Sequence, residues 1–206
     1  MKLKSVLLTI LLSIFVAGTA QAKKHWVGTW ATAEQLVEPH NCPPDPGLGN
    51  NSIRQIVQTS ISGKVVRVKF SNEFSNGPVT INAVEIAKAK TAGSSSDIFE
   101  ETEVSLTFDG NPSVTIQPGQ LVTSDEVKFP MGERENVAIT MHLGEASSTN
   151  VTGHPGSRTD SYIASGQTSD FSNAVVTTHW YIINAIEVKA EKKACAIAVL
   201  GNSITD

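Results

Sequence analysis

The sequence predicts a mostly β protein: an antiparallel, jelly-roll-like β-sandwich followed by the first strand only of an α/β domain. Three observations point there. Short runs of β-branched and aromatic residues alternate with polar ones from Trp26 to about Ala190, and Gly, Pro, Asn and Asp punctuate them. No window carries a capped helical period. One last run, Cys195 to Leu200, is apolar without alternation, as in a strand covered on both faces.

The elements follow in order. Residues 1–22 have the form of a secretory signal peptide, with Lys2 and Lys4 before an apolar stretch from Ser5 to Val16 and an Ala20-Gln21-Ala22 cleavage site. A secreted or periplasmic protein is expected, with no membrane span after cleavage. Trp26 and Trp30 lie four apart, hence on one face of a strand. Gln35 to Asn51, Pro-rich, reads as a long surface loop. Ile53 to Ile61 alternates, Ser62-Gly63 reads as a turn, and Val66, Val68 and Phe70 alternate beyond it, a pattern that predicts a hairpin. Further strands are expected at Val79 to Ala87, Val104 to Phe108, Val114 to Ile116, Leu121 to Phe129, Val137 to Leu143 and Trp180 to Val188. Thr91 to Glu101 reads as solvated and Ser147 to Ser157 as a third long loop. The charged link Lys189 to Lys193 marks a boundary, giving a sandwich over 23–193 and the start of a second domain over 194–206.

Net charge is −4, from 16 basic and 20 acidic residues, with no long Lys/Arg cluster. Nucleic acid and anionic membranes are not expected partners. Cys42 and Cys195 would meet an oxidising compartment, which permits a disulfide between them; the ordinary reading is two small thiols, one in a loop and one opening an apolar strand. No H-x-H, H-E-x-x-H or C-x-x-C spacing occurs, so neither a metal nor another cofactor is expected.

The segment Leu200-Gly201-Asn202-Ser203-Ile204-Thr205-Asp206 resembles the nucleophile block of the GDSL, or SGNH, ester hydrolases. Four upstream segments, Trp26 to Ala33, Ile53 to Val57, Val66 to Glu73 and Gly156 to Tyr162, resemble the β-sandwich that precedes the catalytic domain in one secreted bacterial branch of that family. The resemblance implies that Ser203 is the nucleophile and that its backbone N–H contributes to the oxyanion hole. The chemistry agrees: a serine hydroxyl attacks an ester only when held rigidly on a turn beside a base, and a backbone amide stabilises the charge that develops.

Two departures matter. Asn202 stands where the family more often has Asp. The family's oxyanion-hole glycine and asparagine, and the Asp-x-x-His that supplies the base, follow the serine in chain order and do not occur in these 206 residues. The expectation is the front portion of a short-acyl or carbohydrate ester hydrolase, truncated after its nucleophile and inactive by itself. Its substrate in the parent would be a small acyl ester or acylated glycan.

All five histidines, His25, His40, His142, His154 and His179, precede Ser203. His154, near Arg158 and Asp160, has the most suggestive neighbours, and His142 is read as a surface residue. The alternative function is a carbohydrate-binding or structural accessory module, with Trp26, Trp30, Trp180 and Tyr181 as stacking candidates and core packing as their ordinary role. Arg158 is expected to pair with Asp160 rather than reach across a domain interface.

Overall fold

A computed structural model describes residues 25–190 and 194. The expected signal peptide 1–22, Cys195, the apolar run to Leu200 and Ser203 lie outside the described residues.

About half of the described chain is strand, and almost none of it is helix. β1 (His25–Ala31), β2 (Gln35–Leu36), β3 (Ser52–Gln58), β4 (Gly63–Asn72) and β5 (Val79–Ala89) are followed by β6 (Ile98–Ser105), β7 (Val114–Ile116), β8 (Gln120–Thr123), β9 (Val127–Met131) and β10 (Asn136–Leu143). β11 (Thr152–Pro155), β12 (Ser161–Ala164), β13 (Val175–Thr177), β14 (His179–Tyr181) and β15 (Ile183–Ala190) complete the set, with one 3-10 turn at Pro39–Asn41. A five-stranded sheet runs β1-β15-β4-β8, with β9 also on β4; a seven-stranded sheet runs β13-β12-β3-β10-β5-β6, with β7 also on β5; β14-β11-β2 form a small third sheet. The strand pairs are antiparallel.

Alternation explains why the two large sheets stack. Val66, Val68 and Phe70 of β4 and Ile186 and Val188 of β15 point inward, and they share one buried cluster with Ile53 and Val57 of β3, Ile86 of β5 and Val137, Ile139 and Met141 of β10. Each sheet is marginal alone; burying both apolar faces against each other is what makes a sandwich.

Several elements differ from expectation. β3 and β4 do not form a hairpin: they belong to different sheets, and Thr59 to Ser62 crosses from one to the other. Thr29 satisfies the crossing backbone, its hydroxyl accepting from Ser60 N and Ile61 N at 3.1 and 3.0 Å and donating to the Ile61 carbonyl at 2.9 Å. Gly63 has no left-handed φ, so it does not serve as a turn residue. It is required because a Cβ there would sit 2.8 Å from Val188 Cβ and Cγ1.

Trp26 and Trp30 do not share a face. Trp26 pairs with Lys189 and Trp30 with Ile186, and a bulge between Gly28 and Trp30 absorbs the extra residue, Thr29. Their partners are three apart on β15, so the two indoles lie on opposite faces of the sheet. Trp26 stays outside, between the Arg67 and Lys189 cations at 4.3 and 5.5 Å. Trp30 turns onto the core.

β3 is buried on both faces rather than one. The chain after β5 and after β12 folds over the outer face of the seven-stranded sheet, where Ile56, Ala87, Ala138, Tyr162 and Phe171 make a second apolar cluster. Arg54 lies beneath that cover, donating from Nε to Thr140 Oγ1 at 2.8 Å and from Nη1 to the Ser96 carbonyl at 2.9 Å, with its guanidinium 4.4 Å from the Phe171 ring. Hence part of the segment read as solvated, Ile98 to Glu101, is strand β6, and Leu106 to Phe108 fall beyond that strand. The expected strand Leu121 to Phe129 divides into β8 and β9 on the same partner, and the expected strand from Trp180 divides at Ile182, whose φ is 69°. The third long loop contains β11, and the first contains β2 and the 3-10 turn.

Replacing Gly63 by Ala drives a methyl into Val188, and a loss of about 1–3 kcal/mol in denaturant unfolding is expected. Gly63→Ala combined with Val188→Ala should recover part of that loss.

Candidate functional site

The aromatic candidates separate cleanly once the bulge is known. Tyr181 is fully buried, and its hydroxyl donates to the Asn41 carbonyl at 2.8 Å; burial pushes its pKa up to about 12. It is a core residue. Trp30 and Trp180 instead meet edge to face, with ring centroids 5.0 Å apart and planes at 85°. They line a groove of about 340 Å³ with Val57, Gln58, Ala92, Asn136, Ser157, Arg158 and Thr159.

Each wall has a structural origin. Trp180 is fixed three ways: its Nε1–H donates to the Ile56 carbonyl at 3.2 Å, Trp30 abuts it, and the His154 ring stacks at 5.9 Å with planes 27° apart. His154 is held in turn by its Nδ1–H, which donates to the Ala33 carbonyl at 2.6 Å. Opposite, Gln58 at the end of β3 donates from Nε2 to Asn136 Oδ1 at the start of β10, at 3.2 Å. The loop from Gly156 to Thr159 closes one end. Gly156 and Arg158 are both left-handed, with φ of 76° and 59°, a conformation that costs an arginine energy and is kept where surroundings enforce it. Ser157 N donates to Thr178 O at 2.9 Å, and Thr159 Oγ1 to Ala92 O at 3.0 Å.

His142 is not a surface residue. Its ring lies between β3 and β5, with Nδ1 2.8 Å from Ser52 Oγ and Nε2 3.3 Å from Glu85 Oε2. Serine, histidine and carboxylate in line invite a catalytic reading, but the details oppose it. Ser52 is fully buried, and its single hydroxyl hydrogen goes to the Gly166 carbonyl at 2.8 Å, while the oxygen accepts from Thr168 N at 2.9 Å. Such a hydroxyl has no approach for an ester and no free proton to lose. His142 Nδ1 therefore donates to Ser52, and the trio anchors the Gly166 to Thr168 turn over the sheet.

The other candidates are dispersed. His40 is exposed on the 3-10 turn, and His25 opens β1. His179 Nδ1 accepts from Gly156 N at 2.9 Å, and burial lowers its pKa. Cys42 is a free thiol, 3.5 Å from the Glu38 carbonyl oxygen, raised in pKa by burial and then by the Glu38 carboxylate. Among the described residues no three His, Cys, Asp or Glu side chains are grouped to hold a metal ion. Also among them, no helix is long and apolar enough to cross a membrane.

Sequence reasoning singled out Trp30, Trp180 and Arg158 but not as neighbours, and it missed Gln58 and Asn136. Nothing in their local pattern distinguishes those two amides from other polar residues at strand ends; only the pairing of β3 with β10 joins them.

Away from the groove, one carboxyl is strongly perturbed. Glu34 Oε2 accepts from Asn184 Nδ2 at 2.9 Å, while Oε1 is buried without a partner. Burial foremost, with the Glu73 charge adding, raises its pKa to about 7.

A comparison with protein-family models finds none that matches this chain, and a comparison with curated proteins finds no match either.

Glu34 generates a pH dependence. Its folded pKa is raised above the ordinary 4.5, so the folded state keeps a proton that the unfolded chain releases, and stability falls as pH rises from about 4.5 through about 7. Glu34→Gln should flatten that fall and stabilise the protein at pH 8 by about 1–3 kcal/mol, with little effect at pH 4, as read from urea midpoints at the two pH values.

Proposed function

We propose that the chain is the N-terminal portion of a secreted SGNH-type serine ester hydrolase, with residues 23–193 its jelly-roll-like accessory sandwich and 194–206 the first strand and nucleophile turn of the catalytic domain. Ser203 is the nucleophile, and its backbone N–H is one donor of the oxyanion hole. The parent acts on short acyl esters, including acylated glycans, through an acyl-enzyme.

One observation carries most of the weight. The terminal block resembles the family's nucleophile motif, and three of the four upstream segments with the same resemblance, those containing Trp30, Val57 and Ser157 to Thr159, line a single groove. Residues scattered over 130 positions of sequence have no local reason to share a family pattern. A common surface supplies one.

Residues 1–206 by themselves are expected to be inactive. A nucleophile without its base loses several orders of magnitude in turnover, because the members of a triad act as a unit. The family's base follows its nucleophile in chain order, whereas His25, His40, His142, His154 and His179 precede Ser203.

Two measurements test this. Translating the DNA beyond codon 206 in all three frames should give a glycine block, a Gly-x-Asn block and a distal Asp-x-x-His; finding none in any frame counts against the hydrolase. Purified chain assayed with a short aryl acetate should match Ser203→Ala at background, and a rate lost only in the variant would refute the inactivity.

A further inference from the structure

We propose that the Trp30–Trp180 groove is a saccharide subsite that takes an uncharged pyranoside ring. The inference deepens the ester-hydrolase reading, on which it rests, by giving the accessory sandwich the sugar half of an acylated glycan.

Stacking surface is the first requirement. A pyranose presents a face of C–H groups, which packs on an indole, and hydroxyls around its rim that need polar partners. The groove offers two indoles, and both are positioned before any ligand arrives. Trp180 is locked by the Ile56 carbonyl, by Trp30 and by the His154 ring. Locking matters because a sugar gains little from each contact, so side chains that must be ordered on binding would cancel the gain.

Polar complementarity is the second. Gln58 Nε2 is already bonded to Asn136 Oδ1. That bond leaves Gln58 Oε1 as an acceptor and Asn136 Nδ2 as a donor for a ligand. Two adjacent ring hydroxyls, each able to donate and to accept, match such a pair. Ser157 is not part of that recognition, since its hydroxyl donates to the Thr159 carbonyl at 2.6 Å.

Charge and size choose among ligands. Among the described residues that line the groove none is a carboxylate, and the single charged one, Arg158, is already engaged within the protein. A uronate or a phosphorylated sugar therefore finds no unclaimed cation, whereas a neutral ring needs none. The volume of about 340 Å³ lies at the small end of ligand sites, fit for one or two sugar rings rather than a long chain. Trp26 and Tyr181, the other two aromatic candidates, take no part: one is on the far face of its sheet and the other is sealed in the core.

The test titrates the whole 206-residue chain with xylo-, cello-, manno- and chito-oligosaccharides and with oligogalacturonate, followed by tryptophan fluorescence and calorimetry. At least one neutral oligosaccharide should bind saturably, in the weak range of about 10 μM to 1 mM. Trp30→Ala should weaken that binding tenfold or more, Asn136→Ala and Gln58→Ala about three- to tenfold, and Trp26→Ala not at all. The two rim amides are half-buried or exposed, so those variants remain informative where an indole substitution disturbs folding. Binding by none of the neutral saccharides, binding only by oligogalacturonate, or equal losses in Trp26→Ala and Asn136→Ala would overturn the proposal. Binding requires no turnover, so its failure beside downstream hydrolase codons removes the subsite alone, and its success without those codons removes the hydrolase alone.

Discussion

The geometry of the molecule depends on one buried amide. Gln55 is fully enclosed, and its carboxamide bonds the Tyr181 backbone both ways, Nε2 donating to the carbonyl at 2.9 Å and Oε1 accepting from the N–H at 2.7 Å. A side chain here completes the hydrogen bonding that a neighbouring strand would otherwise supply, so β14 is attached to β3 without joining its sheet. The groove follows directly. With Tyr181 fixed, Trp180 is placed over β3, where its indole reaches the next carbonyl along, that of Ile56. A polar group at the centre of an apolar core is costly unless every bond is made, and here the bonds made are what align the two parts.

The sequence shows strands that bury one face more readily than the details that combine them. Val66, Val68 and Phe70 declare themselves by alternation and lie in β4; Val137 to Leu143 alternates too, although β10 is buried on both faces. The outer cover of the seven-stranded sheet is invisible to that logic, because Ile56 and Arg54 look like a mixed polar face until Phe171 and the Ser96 segment fold over them. The Ser62-Gly63 pair looks like turn chemistry, yet the glycine answers to the methyl groups of Val188, 125 positions away. The bulge at Thr29 is the most consequential of the hidden features. One extra residue reverses which face Trp30 occupies, and no local preference in Gly28-Thr29-Trp30 announces it. The candidate site is thus legible as a set of residue types and illegible as an arrangement.

Ser52, His142 and Glu85 illustrate how distance and chemistry separate. The three are aligned within hydrogen-bond or ion-pair reach. What distinguishes them from a hydrolytic centre is accounting of hydrogens and access: the serine proton is committed, the oxygen is saturated, and no solvent reaches it. The same three residue types that activate a nucleophile at an open turn serve here to hold one closed, and the turn at Gly166 is the element they hold.

β1 and β15 lie side by side and antiparallel, with His25 opposite Ala190. A pull applied at those two residues meets the ladder from its open end, so its bonds take the load one after another rather than together. Opposing strands loaded along their length would share the force; a peeled edge cannot. Under tension the seam between these strands is therefore the mechanically weak line of the sandwich, parting before the core that both sheets enclose.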